Sequence, residues 1–273
     1  MPTYAALTWD EAENRKYEYG VSKGVLYPMR DNGSYAAGVA WNGLTNITDK
    51  PEGAEISEMY ADGIYYAGIA GAEKYGSTIE AFTYPDEFAQ CDGSAQPIPG
   101  MYMGQQARKK FGMCWRTEIG NANSEILGYK LHVAYGLRAS VAEKAHDTVN
   151  ESPEAQTMSW DAKGTPVPVS GYKPTAKLEF DSTVLGSAKM AALEALLYGS
   201  EGSATYTEFT GSAFVYGSKY YERSGSEGSY VYTETTDLTK DVSKTYYTRS
   251  STGGNEATLP SPSEILATLQ AVT

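Results

Sequence analysis

Histidine and cysteine are almost missing, with two of each in 273 residues. His132 and His146 have no partner at metal-ligand spacing, so a zinc enzyme is not expected. Cys91 and Cys114 stand in no CxxC pattern, which argues against a disulfide framework and a structural zinc site and leaves two reduced, partly buried thiols as the plain reading. A thiol nucleophile formed with a histidine would leave no trace in sequence. Basic residues are outnumbered, 22 Lys and Arg against 34 Asp and Glu, for a net charge of −12. Wrapping around nucleic acid depends on cations neutralising phosphates and is therefore disfavoured. No run approaches the ~20 apolar residues of a membrane-spanning helix, so membrane insertion is not expected. The opening Met1-Pro2-Thr3-Tyr4-Ala5 has neither a basic start nor a long apolar stretch, so Sec-type export is not expected either.

Phenylalanine is also scarce, 6 residues, whereas tyrosine reaches 23 and glycine 28. Tyrosine suits half-buried pleated surfaces and glycine suits turns, which together predict a mainly β chain. In Tyr17-Glu18-Tyr19-Gly20-Val21 the apolar residues alternate onto one face. Further strands are expected over 38–44, 54–60, 64–69, 77–83, 112–119, 125–140, 155–162, 165–169 and 174–180. Tyr129, Leu131, Val133 and Tyr135 share a face, as in a strand with one buried side, and His132 points the other way. One helix is expected over Ser187 to Leu197, stopped by Gly199, with Met190, Leu193, Leu196 and Leu197 forming a stripe that packs on a sheet. A helical turn begins at Pro85; calcium or carboxylate chemistry at Asp86, Glu87 and Asp92 is its sharper alternative.

Composition changes after Gly199: of the 50 residues 201–250, 22 are Ser, Thr or Gly and 8 are Tyr. Ser218-Lys219-Tyr220-Tyr221 is echoed by Ser243-Lys244-Thr245-Tyr246-Tyr247, which predicts two related hairpins leaning on a host domain. Tyr220, Tyr221, Tyr246 and Tyr247 are read as solvent-facing, with contact to a sugar face as the alternative. The end, Leu259-Pro260-Ser261-Pro262, is read as an extended arm that docks on the body or on a neighbouring subunit. Gly71-Ala72-Glu73-Lys74-Tyr75-Gly76-Ser77-Thr78 approaches a phosphate loop but has Ser77 where the lysine belongs. Asn46-Ile47-Thr48 and Asn150-Glu151-Ser152 fit a glycosylation sequon by chance. No carboxylate pair stands out among 34 acids, and an enzyme has no positive support.

A colinear set of segments carries a resemblance. It comprises Leu7-Thr8-Trp9-Asp10, residues 17–28 and 38–44, Tyr60-Ala61-Asp62, residues 81–88, Cys91-Asp92-Gly93-Ser94, residues 104–109 and 111–121, Glu143-Lys144-Ala145, residues 150–155, and the ending Leu259-Pro260-Ser261-Pro262-Ser263-Glu264-Ile265. Together these resemble the major tail (tail tube) proteins of long-tailed phages of Gram-positive bacteria. The likeness spans about residues 3–200 and 255–273 and is interrupted by 201–250.

The resemblance implies a mainly β chain: a tail-tube β-sandwich with a flanking α-helix, extended N- and C-terminal arms and a Tyr/Ser/Thr-rich β insertion. The division implied is a core over 1–200, an outward insertion over 201–250 and a returning arm over 251–273. It further implies a virion protein made in the host cytoplasm, with no catalytic residue, no cofactor and no metal. Its partners would be copies of itself in hexameric rings stacked into a tube, a tape measure protein in the lumen, tail terminator and distal tail proteins at the tube ends, and double-stranded DNA in transient passage. Inter-subunit contacts are expected from Leu7, Thr8, Trp9 and Asp10, from a long polar loop around 47–53 that includes Thr48, Asp49 and Lys50, and from Leu259, Pro260 and Pro262. Six copies would carry about −72, six times the formal −12, a charge that would keep DNA from sticking. The inner tube of a contractile injection system and a carbohydrate-binding β-sandwich are the competing readings.

Overall fold

The computed structural model describes residues 7, 9–98, 100–141, 144, 148, 155–215, 219–226, 229–235 and 239–272. The chain is mainly β, 47% strand against 12% helix. It divides into two compact units, Met1–Tyr198 with Ala257–Thr273, and Gly199–Glu256.

The first unit is built on eight strands: β1 (Tyr17–Pro28), β2 (Val39–Trp41), β3 (Leu44–Asp49), β4 (Gly76–Ala81), β5 (Phe111–Gly120), β6 (Gly128–Ala139), β7 (Met158–Lys163) and β8 (Lys177–Asp181). They pair in the order β2-β1-β5-β6-β7-β4-β3, and β8 also pairs with β6. All of these pairings are antiparallel. β6 therefore belongs to two sheets. Its residues 130–134 pair with β8, whereas Arg138 and Ala139 pair with Lys163 and Ala162 of β7. Between the two pairings lies Gly136, at φ 58°, a left-handed conformation that costs glycine nothing. A Cβ there would meet the Thr165 carbonyl at 2.9 Å.

Alternation along the strands separates two cores. Leu26, Met113, Trp115, Ala134 and Leu137 enter one, with Trp41, Ile79, Trp160 and Phe88 of the 3-10 turn Asp86–Phe88. Val25, Tyr27, Cys114, Leu131, Val133 and Tyr135 enter the other. Residues 129–135 are thus covered on both faces, not on one as the alternation suggested, because helices add a third layer. Those helices are α1 (Ser182–Leu185), α2 (Ser187–Leu197) and α3 (Pro262–Ala271). The bounds of α2 are those read from the sequence; of its apolar stripe Met190, Leu193 and Leu197 are buried against the sheet, whereas Leu196 is half-buried. Each such side chain contributes about 1.5–3 kcal/mol by leaving water. The Tyr27 hydroxyl donates to the Leu197 carbonyl, satisfying one of the carbonyls that a helix end leaves open.

α3 overturns the expectation of an extended C-terminal arm. Pro262 occupies the first turn, where its missing N–H is no loss. The Ser261 hydroxyl accepts from the Glu264 N–H while the Glu264 carboxylate accepts from the Ser261 N–H, a capping box. Ile265 and Leu269 then pack beside Leu259 in the second core.

The second unit is a four-stranded antiparallel sheet of β9 (Ser203–Glu208), β10 (Tyr221–Ser224), β11 (Val231–Glu234) and β12 (Tyr246–Thr252), in the order β9-β12-β10-β11. It has its own aromatic cluster: Phe214 stacks on Tyr220 with centroids 4.1 Å apart and meets Tyr246 edge-on at 4.8 Å.

Candidate assembly surfaces

Beyond β3 the chain forms a two-stranded hairpin, Ile56–Ala61 against Ile64–Ala70. Asp62 and Gly63, at φ 52° and 77°, form its two-residue turn, the primed geometry whose twist matches the strands. The Asp-Gly pair was a legible signal that strand periodicity alone passed over. Neither face of the hairpin is covered. Ile56 is 64% exposed, Ile64 69% and Tyr66 75%, with Tyr60, Tyr65 and Ile69 also exposed. An isolated two-stranded hairpin is marginal in water, and large apolar side chains concentrated on one mark an interaction surface.

The sheets are open as well. Among the described residues β2 pairs only with β1, β3 only with β4 and β8 only with β6. Unpaired strand edges are templates for pairing with another chain.

The residues expected to make inter-subunit contacts fare differently. Leu7 and Trp9 are exposed, at 76% and 75%, and Asp10 is exposed at φ 57°; Thr8 lies outside the described residues. Thr48 and Asp49 are in β3, not in a polar loop, and pair with Thr78 and Ser77 of β4. The Lys50 N–H continues this ladder to the Gly76 carbonyl at 2.7 Å. Asp49 is further engaged by Lys177 and by the Tyr75 hydroxyl at 2.7 Å. Leu259 is buried, Pro260 accepts from the Tyr135 hydroxyl at 3.0 Å, and Pro262 is buried at the start of α3. These three pack within their own chain, which is the docking on the body that the sequence offered as one of two alternatives.

The tyrosines offered as sugar contacts are corrected by their burial. Tyr220, Tyr246 and Tyr247 are buried, and Tyr221 is half-buried with its ring edge-on to Tyr206. The repeated Tyr-Tyr motif supplies the interior of the second unit, so its ring faces are not open to a pyranose.

The remaining candidate chemistry is absorbed by structure. His132 stacks on Trp115 at 5.2 Å, with Nε2 2.8 Å from Thr117 Oγ1 and 3.2 Å from Glu18 Oε1. Burial and the Lys177 cation hold its pKa below the usual value, against the pull of Glu179 and Glu18. Burial raises both thiol pKa values to about 12, so Cys91 and Cys114 are poor nucleophiles. Asp92 is held by Lys144 at 2.7 Å and by Trp160 Nε1 at 3.0 Å, and Asp86 accepts from Tyr102 at 2.6 Å. Ser77 and Thr78 are buried in β4, so the phosphate-loop-like stretch is not a loop there. His146 and the sequon at Asn150 lie outside the described residues. Among the described residues no group of three or more His, Cys, Asp or Glu could hold a metal ion, and no helix is long and apolar enough to cross a membrane.

No protein-family model matches the chain, and no curated protein matches its sequence. The surfaces themselves carry the functional argument.

Proposed function

We propose that this protein is the repeating subunit of a phage tail tube, forming hexameric rings that stack into a conduit for DNA. The observation that carries the reading is the uncovered apolar hairpin at 56–70, whose side chains need a partner that the subunit does not supply. Two further features support it. Open edges at β2, β3 and β8 allow sheets to continue from one copy to the next. The net charge of −12 opposes adhesion of DNA to a lumen built from this chain. The sequence resemblance supplies the hexamer, the tape measure protein in the lumen and the terminator and distal tail proteins at the ends.

The test is negative-stain microscopy of the purified protein across a concentration series. Rings or hollow tubes are expected, lengthening as concentration rises. A protein that stays a dispersed single copy at every concentration, or that binds a glycan array as a monomer, would overturn the assignment.

A further inference from the structure

Beside α3 the first unit carries an apolar groove of about 330 Å³, walled by Tyr172, Leu178, Phe180, Ile265, Leu266 and Leu269. Its floor is β8 and one wall is α3. The opposite wall comes from the two-stranded hairpin Val167–Val169 with Tyr172–Thr175. Lys173 is the one charged side chain among its lining residues.

Elsewhere on the same unit stands the uncovered hairpin at 56–70, whose charged residues are Glu58 and Asp62 alone. We propose that this groove receives the 56–70 hairpin of a second copy of the chain. The proposal deepens the tail-tube reading and rests on it for the repetition of the contact.

Three considerations select this occupant. Both surfaces are apolar, so mating them removes from water the exposed Ile56, Ile64 and Tyr66 of the hairpin and Tyr172 at the groove's rim. Their charges are complementary, acids on the hairpin and a lysine in the groove. A symmetric contact of hairpin with hairpin would instead set Glu58 and Asp62 against copies of themselves. Finally, a projection and a recess at different places on one molecule form a heterologous contact, which propagates from copy to copy along an axis as a tube requires.

Cysteine cross-linking tests the pairing. Tyr66 and Tyr172 are 75% and 73% exposed, so Tyr66→Cys and Tyr172→Cys leave both cores untouched, and the two native thiols are buried. With a short bismaleimide, a mixture of the two single variants is expected to give a covalent dimer on a denaturing gel, and the double variant a ladder. Tyr172→Asp is expected to raise the concentration needed for tube growth by roughly tenfold or more with an unchanged circular dichroism spectrum. Tubes of the mixed single variants that yield no cross-linked dimer would overturn the pairing and leave the tail-tube reading standing. A double variant linked only within its own chain would overturn it too. Cross-linked dimers from a protein that never forms tubes would support the pairing and sink the tail-tube reading instead.

Discussion

His132 sits between two carboxylates, an arrangement that ordinarily favours the imidazolium, yet burial and Lys177 keep it neutral. The consequence for stability has a definite sign. In the unfolded chain the imidazole takes its proton near pH 6.5, whereas in the folded subunit it does so only at lower pH. The unfolded state therefore binds more protons in that window, and stability falls as pH drops through 6.5. Glu18 and Glu179 add a separate loss further down. Burial opposes ionisation of Glu18, but hydrogen bonds from Lys130 and Thr117 outweigh it; Lys177 lowers Glu179 directly, so both stay ionised below the usual 4.5. Their contribution disappears only as pH falls past that value. Replacing His132 by Gln is expected to flatten the change in urea midpoint between pH 7 and pH 5. An equally steep change in the variant would mean that another group titrates there.

The helices show how differently two elements of one chain can be read. α2 was legible to the residue because Ala, Leu, Met, Lys and Glu run unbroken from Ala188 to Leu197, two residues short of Gly199, and the stripe at Met190, Leu193 and Leu197 has helical spacing. α3 was hidden by Pro260 and Pro262, which read as an extended segment. The same letters, Ser261-Pro262-Ser263-Glu264, form a capping box with proline in the first turn. Ser261→Ala should therefore cost about 1 kcal/mol, seen as a lower urea midpoint with an unchanged slope; no shift would mean that Leu259 and Ile265 alone hold the helix. Tyrosine misled in a similar way. Alternation reveals a strand but not which face is covered, so Tyr17 and Tyr19, which are exposed, look like Tyr246, which is buried. The candidate assembly surface was harder still. Its strands were legible, but that nothing covers the hairpin is a property of the folded chain, and the groove unites Phe180 with Ile265 and Leu266 across some 85 positions of sequence.

At the scale of the molecule, the chain leaves the first unit after Tyr198 and returns to it at Ala257. The Thr258 N–H donates to the Leu196 carbonyl at 2.8 Å, so the chain leaves and re-enters the first unit at neighbouring points. The aromatic cluster of the second unit lies within Gly199–Glu256. Replacing residues 199–256 by a short glycine linker is expected to leave a folded first unit with a cooperative thermal transition, as insertions at adjoining termini permit. Loss of that transition would show that the inserted sheet is needed to complete the host fold. Within the first unit, β6 is one continuous strand stitched into both pairings, to β8 through residues 130–134 and to β7 through Arg138 and Ala139. A pull applied along that shared thread is therefore carried into the strands on either side of it.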